Sequence, residues 1–183
     1  MQTSEADESL KTEIKAAVQI IRKGGVVAIP TDTLYGFATC STDAIAVEKV
    51  FELKRRPMDM PIPLLMSDPE DIHKVASEVP PEAVLAANHF WPGELTIILK
   101  KSVLVPDVVT AGLNTVGVRV PNHWIPRSIS KQLGAPITGT SANRHGEPSI
   151  PNAQSVKDNF DCEIDLIIDD GTTGNGTAST LID

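Results

Sequence analysis

The chain has 183 residues, of which 41% are hydrophobic and 4% aromatic, and its formal net charge is −8. This length suits one domain with a core of Val, Ile, Leu and Ala, and the acidic balance argues against a dedicated nucleic-acid-binding protein. The two cysteines are too few and too far apart for a disulfide framework or a Cys-based metal site. No apolar run approaches the ~18–20 residues of a membrane span, and the acidic first residues are unlike a secretory leader. We therefore expect a cytoplasmic protein with no membrane partner.

Hydrophobic spacing and turn signals predict helices and strands that alternate along the chain. A flexible N-terminal tail, residues 1–9, precedes a domain at residues 10–183. Helices are predicted around 10–21, 44–54, from 69, 81–89, 125–133 and 153–159, and strands around 26–30, 61–66, 95–99, 115–120, 136–139, 164–168 and from 179. This alternation, without a repeat or a linker, indicates a single α/β layered domain.

The polar loop after the first strand is the most informative segment. Its sequence is Pro30-Thr31-Asp32-Thr33-Leu34-Tyr35-Gly36, which offers two hydroxyls, a carboxylate and a phenol. Because α/β folds place their ligands at strand ends, this loop is a candidate binding site. The same residues could instead form a polar turn that satisfies its own backbone groups.

A basic cluster, Lys54-Arg55-Arg56, stands at the end of the second predicted helix. Cations at a helix C-terminus are favoured by the helix dipole, by about 0.3–1 kcal/mol each, so the cluster has a purely structural explanation. The alternative is an anion clamp, in which the arginine fork and the lysine charge bind a polyphosphate.

Small polar residues follow a later strand, in Thr140-Ser141-Ala142-Asn143. Such side chains can bind a phosphate or a sugar without adding charge, or can form an ordinary turn. The Gly-rich stretch 169–176 lacks the Gly-Lys-Ser/Thr ending of a phosphate-binding loop and precedes a strand. We predict a mobile closing loop there, at 171–176.

Arg119 interrupts a strand that is otherwise apolar. A charge that points inward needs either a structural salt bridge or a ligand. The four histidines show no metal-binding spacing, and no Ser or Cys has a recognisable partnered base. The sequence therefore supports neither a protein metal site nor a catalytic triad.

Seven segments, taken together and in order, carry a family resemblance. They are the Pro30–Gly36 loop, Lys54-x-Arg56-Pro57, Trp91-Pro92-Gly93 with Leu95-Thr96, Val109-Thr110-Ala111-Gly112-Leu113, Val118-Arg119-Val120-Pro121, Ser141-Ala142-Asn143 and Ser179-Thr180. Over residues 12–183 the chain resembles the YrdC family of threonylcarbamoyl-AMP synthases, in its single-domain form.

The resemblance implies a twisted mixed β-sheet flanked by helices, with a concave basic pocket. It also implies a nucleotidyltransferase that condenses L-threonine, bicarbonate and ATP, with Mg²⁺ on the ATP, into threonylcarbamoyl-adenylate and pyrophosphate. A separate threonylcarbamoyl transferase complex would then modify adenosine 37 of tRNAs that read ANN codons. Direct tRNA binding by this chain is expected to be weak at most.

The same resemblance implies roles for particular residues. Lys54 and Arg56 would face the triphosphate as the catalytic residues. The nucleotide would also contact Thr115, Ser141 and Asn143. L-Threonine would contact Thr33 and Tyr35 and would be held through its carboxylate by Arg119, and Ser179 or Thr180 would close on the threonine or the adenylate.

Three positions depart from the family pattern. Met60 stands where many relatives carry Asn or Lys, Leu65 where some place a His, and Glu94 where Pro is frequent. These changes put the substrate affinity and the choice of substrate in question.

Two other functions remain open. One is a related YrdC-type adenylating or carbamoylating enzyme with a different acceptor, as in hydrogenase-maturation carbamoyltransferases, which are much longer chains. The other is an RNA-binding module, against which the net charge and the sparse aromatic residues weigh.

Overall fold

The structure is a computed structural model that describes residues 5–173 and 178–183. Its helices are α1 (Glu5–Arg22), α2 (Ala44–Lys54), α3 (Ile72–Val75), α4 (Pro81–Phe90), α5 (Asp107–Thr110), α6 (Trp124–Leu133) and α7 (Ala153–Phe160). Its strands are β1 (Val27–Ile29), β2 (Gly36–Ala38), β3 (Leu64–Leu65), β4 (Leu95–Lys100), β5 (Thr115–Arg119), β6 (Ile137–Thr138), β7 (Thr140–Ser141), β8 (Leu166–Ile167) and β9 (Thr180–Ile182). Among the described residues, no helix is long and apolar enough to cross a membrane.

The strands form two mixed sheets, with the orders β7-β2-β1-β8 and β6-β3-β5-β4-β9. Parallel and antiparallel neighbours occur in both sheets, which confirms the predicted α/β class with mixed strands. The prediction of one sheet is corrected to two, because β6 and β7 belong to different sheets and the chain passes between them at Gly139. An isolated bridge between Cys40 and Ile137 adds a second link.

Helix α1 packs along α6 and covers one of the two hydrophobic clusters. Ile14, Val18 and Ile21 are buried there, as their helical spacing predicts. Arg22 donates to the Gln132 carbonyl oxygen over 2.8 Å at the end of the helix pair. The helix begins at Glu5, so it includes part of the predicted tail, and residues 1–4 lie outside the described part of the chain.

The end of α2 determines where the basic cluster points. Asp43 caps the start of the helix by accepting from the Ala46 N–H over 3.1 Å. At the other end Arg55 adopts a left-handed conformation, with φ 49° and ψ 40°. The chain therefore turns between Lys54 and Arg56, and the two side chains leave the backbone in different directions.

Candidate active site

A cavity of about 330 Å³ lies where the two sheets meet. Its wall contains residues of β1, β2 and β7 from one sheet and of β3, β5, β6 and β9 from the other. Six of the predicted site residues line it, namely Thr33, Tyr35, Arg56, Arg119, Ser141 and Ser179. Residues from distant parts of the sequence therefore converge on one concave site.

The other four predicted residues lie outside the wall of this cavity. Thr115 is at the far end of β5 from Arg119, opposite Lys100. Thr180 alternates with Ser179 and Leu181 along the final strand, so those two face the cavity and Thr180 does not. Lys54 and Asn143 are buried behind Ser141.

The two threonine hydroxyls in the loop between β1 and β2 make different kinds of hydrogen bond. Thr31 Oγ1 accepts from the backbone N–H groups of Thr33 and Leu34, both over 3.1 Å, and donates to the Leu34 carbonyl oxygen over 2.7 Å. This is the self-satisfied turn that was one of the two predictions. Thr33 Oγ1 accepts from Arg119 over 3.2 Å, so its own proton can be donated to a ligand or to Thr31.

Arg119 is almost fully buried, with 5% of its surface exposed. Its Nε donates to the Gly93 carbonyl oxygen over 2.8 Å, and one Nη donates to Asp32 Oδ1 over 2.6 Å. Together with the bond to Thr33, these contacts use three of the five guanidinium N–H groups. Arg119 thus makes a structural salt bridge and also keeps donors for an anionic ligand in the cavity.

Asp32 contacts the site through Arg119, and no role is predicted for it from the sequence. Its second oxygen accepts from the Asn122 N–H over 2.9 Å, and only 12% of its side chain is exposed. The carboxylate therefore fixes the orientation of Arg119 from the side away from the cavity, since Asp32 is not part of the cavity wall. The signal was present, because an inward arginine requires a partner of opposite charge.

Arg56 reaches the cavity from the turn after α2. Its Nε donates to the Met60 carbonyl oxygen over 3.3 Å and one Nη donates to that of Pro61 over 2.9 Å. These bonds hold the guanidinium at the cavity wall and leave further N–H groups for phosphate oxygens. Position 60 contributes through its backbone, which Met supplies as well as Asn or Lys would.

Lys54 is buried, with 2% of its surface exposed. Its ammonium donates to the carbonyl oxygen of Asn143 over 2.7 Å and to Asn143 Oδ1 over 3.2 Å, and it also donates to the carbonyl oxygen of Ser141. Burial and the nearby Arg56 charge lower the pKa of Lys54 to about 8. Lys54 therefore anchors the loop that carries Ser141.

The phenol of Tyr35 is held by the segment that follows β8. Its hydroxyl donates to the Gly171 carbonyl oxygen over 3.0 Å and accepts from the Asp170 N–H over 3.4 Å. Burial, with a further contribution from the charges of Asp169 and Asp170, raises the pKa of Tyr35 to about 12. Of the predicted closing loop, residues 171–176, positions 174–176 lie outside the described residues.

We expect Tyr35 to ionise at about pH 12 in the folded chain. It is the only tyrosine, so absorbance at alkaline pH reports on this group alone. An unfolded chain would ionise near 10, so the group favours the folded state below pH 10 and loses this effect as the pH rises through about 12. A midpoint near 10 while the circular dichroism spectrum remains native would contradict the buried hydrogen-bonded phenol.

Of the two remaining departures from the family pattern, one lies on the cavity wall and the other does not. Leu65 is part of its wall, whereas Glu94 is exposed and is not. The described residues contain no group of three or more His, Cys, Asp or Glu side chains that could hold a metal ion. The wall contains two arginines and several hydroxyls, a combination suited to binding anions.

The sequence also matches a known protein family. A sequence model named Sua5/YciO/YrdC and described as telomere recombination matches residues 19–183. The chain belongs to the Sua5/YciO/YrdC family. The resemblance on which the site residues were predicted is thereby confirmed at the level of the family.

Relatives in the Sua5/YciO/YrdC family include named enzymes. The chain is 43% identical, over 93% of its length, to a threonylcarbamoyl-AMP synthase of Pyrococcus abyssi, of which the match covers 50%. It is 38% identical, over 93% of its length, to a threonylcarbamoyl-AMP synthase of Bacillus subtilis, of which the match covers 49%. The chain thus spans about half the length of these two relatives.

Solved structures of the family show the same fold. P. abyssi Sua5 complexed with L-threonine superposes with a TM-score of 0.91 at 40% identity, over 100% of this chain and 52% of that one. Escherichia coli YciO superposes with a TM-score of 0.85 at 30% identity, over 95% of this chain and 84% of that one.

Proposed function

We propose that this chain is a threonylcarbamoyl-AMP synthase, which makes threonylcarbamoyl-adenylate and pyrophosphate from L-threonine, bicarbonate and ATP. The observation that carries the proposal is the pair of arginines, Arg56 and Arg119, on the wall of one cavity in an acidic chain. Two anionic groups, a carboxylate and a polyphosphate, can therefore be held in the same site. The names of the synthase relatives and the L-threonine complex of P. abyssi Sua5 support this assignment.

Arg119 is suited to hold the carboxylate of L-threonine. Its orientation is fixed by Asp32 and by the Gly93 carbonyl oxygen, so little side-chain freedom is lost when a ligand binds. Thr33 lies 3.2 Å from the guanidinium and adds a hydroxyl donor beside it. Ser179 lines the same cavity and is hydrogen-bonded to Thr96 over 2.8 Å, which holds it in place as a further polar contact.

Arg56 and Ser141 are suited to hold the ATP phosphates, with Lys54 and Asn143 supporting the loop behind them. Mg²⁺ would enter with ATP, coordinated by phosphate oxygens and water, because the described cavity wall contains no carboxylate to ligate it. The arginine charge would offset the charge that develops on the departing pyrophosphate.

The proposed chemistry needs positioning more than it needs a nucleophilic side chain. The threonine amine attacks bicarbonate to give a carbamate and water, and a carbamate oxygen then attacks the α-phosphorus of ATP in line, with pyrophosphate as the leaving group. Neither step forms a covalent bond to the protein, so no catalytic triad is required. Holding two reactants in line can lower the activation barrier by roughly 7–11 kcal/mol.

The test is pyrophosphate release from ATP and Mg²⁺, measured with and without L-threonine and with and without bicarbonate. We expect release only when both are present, and a fall of about 100-fold or more when Arg56 is replaced by Ala, since a charge-assisted contact to the reacting group is lost. Arg55→Ala is the matched control, because that side chain is exposed on the other side of the same turn. Release without L-threonine, or equal loss in both variants, would contradict the proposal.

The related enzyme with a different acceptor is the second candidate, because Leu65 makes part of the cavity wall apolar. ATP binding without L-threonine-dependent release, together with release driven by another amine, would favour it. If the synthase proposal holds, the labile adenylate would be consumed by a separate transferase that modifies adenosine 37 of tRNA.

A further inference from the structure

Gly139 and Leu65 meet on the wall of the cavity. A Cβ atom at position 139 would lie 2.7 Å from Leu65 Cγ and 2.8 Å from Leu65 Cδ2, closer than carbon atoms approach in folded proteins. Gly139 is also the residue at which the chain passes from β6 in one sheet to β7 in the other. Its missing side chain is therefore the space into which Leu65 fits.

Leu65 has no room to retreat from a larger residue at position 139. It is 4% exposed and belongs to the buried cluster that includes Ile14, Val18 and Ile137. Interiors of this kind are packed as densely as organic crystals, so they do not absorb an added methyl group without displacement. A side chain at position 139 would accordingly push Leu65 toward the open space, which is the cavity.

The position of Leu65 matters because Arg119 is its neighbour. The two residues are directly paired across the parallel strands β3 and β5, so their side chains point to the same face of the sheet. A ligand carboxylate held by Arg119 places its α-carbon and the first atoms of its side chain beside Leu65.

We propose that Gly139 and Leu65 together set the width of the cavity next to Arg119 and so limit the size of the amino-acid side chain that can be bound there. This inference rests on the proposed function, since it takes the ligand of Arg119 to be an α-amino acid. The limit is steric and the contact is apolar, so side chains of the size of threonine and of its isostere valine fit, and longer ones are excluded. Adding or removing one methylene at such a wall changes affinity by about 10–200-fold.

The test measures binding of L-serine, L-threonine, L-valine and L-isoleucine by isothermal titration calorimetry, in the presence of Mg²⁺ and a non-hydrolysable ATP analogue. In the wild type we expect L-threonine and L-valine to bind and L-isoleucine to bind at least tenfold more weakly. Gly139→Ala should weaken the binding of L-threonine at least tenfold. The double variant Gly139→Ala with Leu65→Val should recover most of the lost affinity. Leu65→Ala should admit L-isoleucine.

The order of the four amino acids separates a steric gate from a general loss of stability. A merely structural effect of Gly139→Ala would weaken the binding of all four alike, whereas a narrower cavity weakens L-threonine and L-valine more than the smaller L-serine. Ile137→Ala is the control for Leu65→Ala, because Ile137 pairs with Leu65 and lies in the same cluster but not on the cavity wall. It should lower the unfolding midpoint without changing the order of the amino acids.

Two outcomes overturn this inference while the proposed function stands. One is L-threonine binding that is unchanged in Gly139→Ala, and the other is a Leu65→Ala variant that still excludes L-isoleucine. If the wild type binds none of the four amino acids, the proposed function itself fails, and the two failures are therefore distinguishable.

Discussion

Replacing Arg119 by Ala is expected to lower the free energy of unfolding by about 3–5 kcal/mol and to abolish L-threonine-dependent pyrophosphate release. The large effect on stability follows from burial, because the Asp32 side chain is 12% exposed and, among the described residues, would keep only the Asn122 N–H as a hydrogen-bond partner. The effect on release follows from loss of the group proposed to hold the substrate carboxylate. Urea unfolding and the pyrophosphate assay measure the two effects separately.

Arg127→Ala is the matched control for this prediction. Arg127 pairs with Asp68 over 3.1 Å, but 34% and 43% of the two side chains are exposed. Exposed ion pairs contribute about 0–1 kcal/mol, so this variant should remain nearly as stable as the wild type. Arg119→Lys keeps a charge for Asp32 but lacks the planar fork, so it provides a folded variant that should still lose L-threonine binding. Equal stability losses in Arg119→Ala and Arg127→Ala would refute the role given to burial.

Raising the pH through about 8 is expected to weaken ATP binding by about tenfold. The Lys54 ammonium makes three hydrogen bonds to the loop that carries Ser141, and a neutral amine has only two N–H groups to donate. The loss of one bond from a charged donor, on the order of 1.5 kcal/mol, corresponds to that factor. Lys54→Met should bind ATP weakly at every pH, without a step near 8. Calorimetric titration between pH 7 and 10 would show both behaviours.

Stability is expected to change in the opposite direction over the same range. Because the pKa of Lys54 is about 8 in the folded chain and 10.5 ordinarily, the unfolded chain holds the extra proton between these values. The contribution of this group to the free energy of unfolding therefore rises with pH across that window. Lys49→Met is the control for Lys54→Met, because Lys49 donates to the Gly24 carbonyl oxygen and does not line the cavity. If the free energy of unfolding of Lys54→Met still changes with pH near 8, that change belongs to another titratable group.

The fold was predictable where hydrophobic spacing is strong. The stripe Ile14, Val18 and Ile21 and the apolar strand that contains Arg119 occur where the sequence places them. The strands β2 and β7 were not predicted, because they have three and two residues and lie within segments that look like polar loops. Strands this short are defined by their partners across the sheet, which sequence patterning does not contain.

Six of the ten predicted site residues line the cavity, but the sequence does not indicate the division of tasks among them. Lys54 and Arg56 look equivalent in sequence, and only the left-handed turn at Arg55 sends one to the cavity and buries the other behind Ser141. A positive φ at a non-glycine residue is not visible in a propensity pattern. Of Ser179 and Thr180, only Ser179 lines the cavity, and this placement depends on the register of the final strand.

The meeting of two sheets at one cavity has a consequence for how ligands can be identified. Since the wall draws on positions from Thr33 to Ser179, a partly folded chain with only one sheet in place would have no site to offer. Any compound that occupies the cavity therefore favours the fully assembled state by mass action, by about 2.7 kcal/mol at a concentration 100 times its dissociation constant. A melting-temperature screen of amino acids, nucleotides and their combinations would rank the ligands of this protein without any assumption about its activity.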